Sequence, residues 1–546
     1  MNGLSNSSRD RFQICLQYRL VSIVLCIVSV LVSCGKSVNS EKKLNIAGNA
    51  DSGDAYYING KDGDDNNPGT IKKPIKTIAE LNARLQKKAS GIYFAGGQSY
   101  YGTLLVNGIS GTKTRPIIIS SRGDGRAVII GGNSEAIRVE NCQNLWINNL
   151  DIKGNGRKNG NTTNGLSVIR SRKSLVEQLN AKGFQKSGVN LYDCTEIQVK
   201  KVLATDNGFC GINIMGSDRS LSGKILIQDC KAENNPGDPT ILDNHSGNGI
   251  LVGVSDSVVI DHCTATNNGW DMPRQGNGPV GIWTWESNNV TIQYCISYKN
   301  NTSKGAKDGG GFDLDGGVTN SIIQYCLSYE NQGAGYGLFQ YSGASDWSNN
   351  IVRYCVSIND AIMTEGSGSF FIWNGSEESR QLTNCLIYNN VAYNSSTSII
   401  SFENASAHKD FKFCNNIFLG QAQVITGHTT GSSFIGNVWW NTKGSIKFME
   451  FNSLAEWTKA TGQEMLEGKI AGMQVDPWLK GPFTTDITDP YQLNTLYGYT
   501  LQPDSPLRNK GLDLKSMLGM DLPTTDFYGN SVPLGVGTEP GIHEVK

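Results

Sequence analysis

The sequence predicts an all-β solenoid of parallel strands, a chain that returns to the same place once per coil of about 30 residues. Three observations lead there. Glycine supplies 64 of 546 residues and charged side chains only 18%, a turn-dense composition against a usual glycine share of ~7%. The segments ending at Cys230, Cys263, Cys295, Cys326, Cys355, Cys385 and Cys414 each place an aliphatic or aromatic residue three before the Cys, at spacings of 33, 32, 31, 29, 30 and 29 residues. Between them the Gly, Asn and Asp clusters leave no stretch with a 3.6-residue apolar period, which excludes a helical repeat. The 10 Trp, 20 Tyr and 17 Phe require a folded core. The 48 basic residues balance 49 acidic ones, so no polyanion grip is built in and nucleic acid is not an expected partner.

Two more columns keep register with the cysteines. Ala232, Ala265, Ser297, Ser328 and Ser357 lie two after the Cys, and Asn235, Asn268, Asn300, Asn331, Asp360 and Asn390 lie five after it. Inward columns of this kind stack like on like, about 4.8 Å apart, with Asn amides bonding along the stack and to turn backbone. The Cys row is predicted as packing, with free thiols. In-register parallel neighbours rarely offer the disulfide dihedral, and evenly spaced single cysteines do not converge on one ion, so no metal site is expected there.

Residues 1–33 have the form of a secretory signal: Arg9, Arg11 and Arg19 precede an apolar run over 20–32 that is too short to span a bilayer. The run ends Leu31-Val32-Ser33-Cys34-Gly35, which resembles the lipobox of bacterial lipoproteins. That resemblance implies lipidation at Cys34 and a lipid-anchored protein of the cell envelope, at the outer membrane, periplasmic or surface-facing. Residues 34–54, small and polar, read as a flexible tether.

The mature chain resembles the right-handed parallel β-helix proteins, a group rich in pectate lyases, polygalacturonases and carrageenases. Residues 55–74, AYYINGKDGDDNNPGTIKKP, are similar to the opening strand and turn of that group, and LQPDSPLRNKG, DFYGN and PGIHE to its closing segments. The likeness implies a right-handed parallel β-helix of about ten coils. Thr77-Ile-Ala-Glu80 reads as a capping box opening a short helix (Ile78, Leu81, Leu85) over the apolar end. The resulting division is 55–91 for the opening strand and capping helix, 92–442 for the β-helix, and 443–546 for a C-terminal cap or accessory segment, with a second short helix at 453–460. The folded chain is expected to be a monomer.

Each coil carries a further strand, Gly-led in all but the last: GVNLY at 188, GINIM at 211, GILVG at 249, GIWTW at 281, GFDLD at 311, GLFQY at 337 and SFFIW at 369. Alternation sends their second and fourth residues inward and their third and fifth outward. The expected outer wall therefore holds Trp283 and Trp285, then Asp313 and Asp315, then Phe339 and Tyr341, then Phe371 and Trp373. Acids between aromatic rows suit a sugar polymer, because pyranose faces stack on rings and carboxyls exchange protons with a glycosidic oxygen and a water. Carboxyls at i and i+2 of one strand are about 6.5–7 Å apart at the backbone, at the short end of the ~6.5–9.5 Å range of inverting glycosidases. Asp308, in the preceding loop, adds a third carboxyl that can raise the pKa of a neighbour. Loops carrying Asp238, Asp243, His245, Asp271, Arg274, Gln275, Lys304, Lys307 and Glu365 are placed to wall a cleft, and Glu286 follows the Trp285 strand.

The expected activity is polysaccharide degradation by an inverting glycoside hydrolase, with Asp313 and Asp315 as acid and base and Asp308 modulating them. Trp283, Trp285, Phe339, Tyr341 and Trp373 are the expected sugar platforms, with Glu286 and His245 beside them and Arg274, Lys304 and Lys307 for anionic groups. No cofactor is required for that chemistry. The alternatives are a polysaccharide lyase, which eliminates from a uronide with a Lys or Arg base and Ca2+ on the Asp cluster, and a surface protein that binds glycan without cutting it. The resemblance at GFDLD supports both enzymatic readings, since carrageenase-type sites alternate two acids on one strand and some calcium-dependent pectate lyases carry a similar Asp-Gly-aromatic-Asp stretch. The Asn-Thr-Asp, Asp-Asp and Gly-His-Gly set of polygalacturonases is absent.

Overall fold

The structure, a computed structural model, describes residues 55–85, 89–364, 366–376, 381–404, 408–420, 423–519 and 521–545. The expected signal peptide, the tether with Cys34, and Glu365 lie outside the described residues.

A typical coil contains three strands, as in Asp256–Asp261, Thr264–Thr266 and Val280–Trp285. Each pairs in parallel with its counterpart one coil on: Ile260 with Ile292, Ala265 with Ser297, and Trp283 with Asp313. The first two strands are separated by single residues in the left-handed region, such as His262 (φ 50°), Tyr294 (φ 50°) and Tyr325 (φ 53°). A second left-handed corner, at Asn267 or Lys299, ends the second strand. The long loops all leave after this second corner, so they emerge along one side of the solenoid, beside the third strands. Those third strands form one sheet, thirteen strands deep, where about ten coils were expected, and it runs on to Lys447–Phe448, past 442.

Alternation decides the core. Ile227, Ile260, Ile292, Ile323 and Val352 form one buried column, each member contributing about 1.5–3 kcal/mol by leaving water. Below it runs the amide ladder. Asn235 Nδ2 donates to Asn268 Oδ1 (2.8 Å), Asn268 Nδ2 to Asn300 Oδ1 (2.9 Å), Asn300 Nδ2 to Asn331 Oδ1 (2.9 Å) and Asn331 Nδ2 to Asp360 Oδ1 (2.8 Å). The serine column and this ladder together explain the leading glycines. A Cβ on Gly281 would lie 2.0 Å from Ser297 Oγ and 2.6 Å from Asn300 Nδ2, and one on Gly311 2.3 Å from Ser328 Oγ and 2.9 Å from Asn331 Nδ2.

The ten described cysteines are free and buried. The Cys row runs only from Cys230 to Cys355, however. Cys385 pairs in register with Asn350, five residues before Cys355, because Leu382 stands opposite Trp347 rather than Val352. The row is continued by Asn390, whose Oδ1 accepts from Cys355 N (2.9 Å), and then by Asn416 and Asn437. Asn390 therefore does not extend the column of Asn331 and Asp360.

The helix Ile78–Arg84 begins at Thr77, whose hydroxyl accepts from Glu80 N (3.2 Å), and buries Ile78 and Leu81 over the first coils. At the other end the helix Leu454–Thr461 stacks Trp457 on Phe448 with ring centroids 4.9 Å apart. The rest of the C-terminal segment lies along the side of the coils. Leu479, Leu493, Tyr499, Phe527 and Ile542 pack on the outward faces of Ile296, Leu327, Val356, Val391 and Ile417. The segment is a strap over the second strands, and Tyr491 Oη reaches back to Asp229 Oδ1 (2.6 Å).

Candidate active site

The strand Gly310–Leu314 places Phe312 and Leu314 in the core and turns Asp313 and Asp315 to the opposite face. There they line a cavity of about 530 Å³. Its aromatic walls are Trp283 and Trp285 on one side and Phe339, Tyr341, Phe371 and Trp373 on the other. Loops contribute Asp308, Lys307, Arg274 and His245. The acids and rings expected from alternation thus come together.

Two rings of this wall are nearly covered. Trp283 is 4% exposed and Phe339 8%. Trp283 packs with Cys210, Leu251 and Val280, and its indole Nε1 donates to Asn248 Oδ1 (3.0 Å). Asn248 Oδ1 also accepts from Val280 N (3.3 Å), so the amide nitrogen is the group facing His245 Nδ1 (3.0 Å). His245 Nδ1 is therefore the acceptor and its proton sits on Nε2. Burial, with Arg274 nearby, lowers its pKa to about 4, so His245 is a neutral hydrogen-bonding group at neutral pH.

Register places the rows differently from the sequence expectation on one coil. Asp313 pairs with Gly337, and Gly337 with Phe371, while Phe339 pairs with Trp373. Phe339 therefore belongs to the Asp315 row, and Tyr341 lies one step beyond it. The leading glycine of this coil is Gly335, whose Cβ would lie 2.6 Å from Asp360 Oδ2 and Ser357 Oγ. The inward rings Phe312, Tyr336 and Phe370 confirm the register, stacking at 5.4 and 5.3 Å. The pattern Gly-aromatic-x-aliphatic, shared by GFDL and GYGL, carried this signal in the sequence. The glycine makes room for the Phe339 ring, which lies against it: a Cβ on Gly337 would be 2.7 Å from Phe339 Cζ and 3.1 Å from Asp313 Oδ1.

Three carboxyls have raised pKa values. Asp313 is 3% exposed, its Oδ1 has no hydrogen-bond partner, and burial followed by the charges of Asp315 and Asp308 pushes it well above 3.8. Asp315 rises to about 7 by burial and by repulsion from Asp308 and Glu286, although Gly316 N donates to its Oδ1 (2.7 Å). Asp308, held at φ 59°, rises to about 6 by burial, opposed by a bond from Gly278 N to Oδ2 (2.7 Å) and by Lys307 and Arg274. Like charges in a confined apolar site cannot all ionise, so the cluster holds protons at neutral pH.

Of the expected catalytic and substrate-binding residues two stand apart, and the loop residues Asp238, Asp243, Asp271 and Gln275 also lie outside the cavity lining. Lys304 is exposed and outside the cavity lining. Glu286 is also outside the lining, because Arg219 claims it. Arg219 Nη2 donates to Glu286 Oε2 (2.5 Å) and Nε to its carbonyl (2.6 Å), while Glu286 Oε1 accepts from Ser345 N (2.7 Å). Its role is to pin the turn after Tyr341. Glu403, which the sequence reading missed, lines the cavity in the Asp315 row, opposite Trp373, with Lys307 Nζ 3.7 Å from its Oε1. Among the described residues no three His, Cys, Asp or Glu side chains are grouped as metal ligands.

Residues 56–359 match the sequence profile described as Pel9A-like, right handed beta helix region. No curated protein matches the chain in sequence. Among solved structures, the GH136 lacto-N-biosidase of Eubacterium ramulus is 16% identical with a TM-score of 0.47, the likeness covering 65% of this chain and 67% of that one. The pectate lyase Pel9A is 13% identical with a TM-score of 0.39, covering 90% and 96%. The PL6 alginate lyase AlyGC is 14% identical with a TM-score of 0.45, covering 68% of this chain and 52% of that one. With the profile spanning more than half of the sequence and the coils in the register described above, this chain belongs to the Pel9A-like right-handed β-helix family.

Proposed function

We propose that this protein is a polysaccharide-degrading enzyme of the cell envelope, a glycoside hydrolase that uses Asp313 as general acid and Asp315 as general base. The observation that carries the proposal is the buried, unpartnered carboxyl of Asp313 beside Asp315 in an aromatic-walled cavity. A general acid must hold its proton near neutral pH, and burial does this for Asp313. It donates to the glycosidic oxygen as that bond breaks. Asp315, ionised above about 7, accepts a proton from the water that attacks the anomeric carbon. Asp308 adds negative charge that keeps both values high. The scissile linkage lies against Asp313 in the cavity, and the half-buried Trp285 and Trp373 offer rings to the flanking sugars.

A second reading, elimination from a uronide, is favoured by Arg274 and Lys307 in the lining, which suit an acidic sugar. In that chemistry one of them would take the proton α to the carboxyl, and Asp308, Asp313 and Asp315 are the residues that would have to hold a Ca2+ to neutralise the uronate charge. One screen separates the readings: plant, algal and host glycans are incubated with the protein, and reducing ends and the ultraviolet absorbance of unsaturated uronides are both recorded. Hydrolysis yields reducing ends without absorbance, and is unaffected by chelation of calcium. Absorbance that disappears on chelation overturns the hydrolase. Binding without products identifies a glycan-binding protein. Lipid anchoring at Cys34 completes the proposal, placing the enzyme at the membrane surface as a monomer.

A further inference from the structure

A second cleft, of about 370 Å³, shares no lining residue with the cavity at Asp313. It lies where the loops leave the second strands, over the coils of Lys153, Lys182, Asp206 and Trp270. Trp270 is 47% exposed at this cleft. Polar neighbours hold it in place. Its Nε1 donates to Asn234 Oδ1 (3.0 Å), and the Arg157 guanidinium lies over its ring at 5.8 Å. Arg157 in turn donates to Gly237 O (3.0 Å) and is ion-paired with Asp271. The lining is basic: Lys153, Arg157, Lys158 and Lys182 outnumber Asp206. Asp271 also takes Lys158 (2.6 Å), and Asp206 takes Lys182 (2.8 Å).

We infer that this cleft is a second glycan-binding site, which stacks a sugar ring on Trp270 and takes the acidic group of that sugar, carboxylate or sulfate, on Lys153 and Lys158. An indole in a basic cleft matches a pyranose that bears an anion, with an apolar ring for the sugar and charge-assisted bonds for the substituent. The loop 267–279 carries Trp270 at this cleft and Arg274 at the cavity, so one polymer chain can engage both. The function is to hold a polymer near the aspartates and so raise its effective concentration there. The inference rests on the glycan reading of the cavity.

The test is affinity electrophoresis in native gels containing polygalacturonate, dextran sulfate or neutral dextran, run with wild type, Asp313→Asn, Trp270→Ala, Trp270→Phe and the pair Lys153→Glu with Lys158→Glu. Wild type and Asp313→Asn should be retarded by at least one polyanion and not by dextran, and the two polyanions separate carboxylate from sulfate recognition. Trp270→Ala and the double lysine variant should bind roughly three- to tenfold more weakly, the range for one lost stacking contact, with Trp270→Phe recovering most of it. Turnover of short oligosaccharides should be the same in Trp270→Ala as in wild type. Retardation of Trp270→Ala equal to wild type overturns the inference, as does wild type passing through both polyanions freely. The glycan reading itself falls only if turnover of every glycan is absent as well.

Discussion

Asp315 offers a prediction in which stability and activity move in opposite directions. Replacing it by Asn keeps its shape and the oxygen that accepts from Gly316 N, and removes the charge. The folded protein raises the pKa of this carboxyl from 3.8 to about 7, which at 1.36 kcal/mol per pH unit amounts to about 4 kcal/mol against the ionised form. Between pH 3.8 and about 7 the folded state binds more protons here than the unfolded chain does, so stability falls as pH rises through that window. Above it the full penalty is present, and below it there is none. Asp315→Asn should therefore stabilise the protein at pH 8 by up to about 4 kcal/mol and leave it unchanged at pH 3.5. For the unit Asp51–Lys546, at roughly 2 cal/mol/K of unfolding entropy per residue, that gain raises Tm by about 4 °C. Thermal unfolding at the two pH values measures it, and product release measures the accompanying loss of activity. An equal change in Tm at both pH values would refute the claim that Asp315 carries a suppressed charge.

Asp313→Asn should lower kcat by about 10²–10⁴-fold with little change in KM, as loss of a general acid does; kinetics on the best glycan from the screen check this. A methyl group on Gly337 would lie 2.7 Å from the Phe339 ring and 3.1 Å from Asp313 Oδ1, so Gly337→Ala should reduce kcat/KM at least about tenfold without loss of fold, read by kinetics beside circular dichroism. Asn300→Leu strips acceptors from Asn268 N and Nδ2 and a donor from Asn331 Oδ1, and should cost about 2–4 kcal/mol in denaturant unfolding. Cys34→Ala should abolish incorporation of radiolabelled fatty acid and release the protein from the membrane fraction, while leaving glycan turnover by the released protein unchanged.

Much of the architecture was legible because a solenoid repeats its contacts locally. The Ile column, the Asn ladder and the outward parity of Asp313 and Asp315 each follow from spacing and alternation, and parity survives any miscount of coils. Register did not survive where the repeat changed length. In the sequence Gly337 begins a Gly-aliphatic run like the other leading glycines, whereas it is Gly335 that stands against the Ser357 and Asp360 side chains. Cys385 kept the 30-residue spacing but stands opposite Asn350, so Asn390 took the place of the next cysteine. Glu286 could be placed near the acids by sequence, but its capture by Arg219, distant in the chain, could not. The terminal strap was invisible as such, since its apolar residues follow no period and depend on a surface made by other coils.

By itself the sequence determined the coil, its inward columns and the face on which the two aspartates stand, because these depend on a two-residue alternation and on neighbours one turn away. Tertiary structure alone decided that loops deepen this face into a cavity, that Gly337 makes room for the Phe339 ring beside Asp313, and that three carboxyls crowd together with raised pKa values. Those features arise where loops of unequal length from several coils meet, and the free energy of a charge is set by everything that surrounds it.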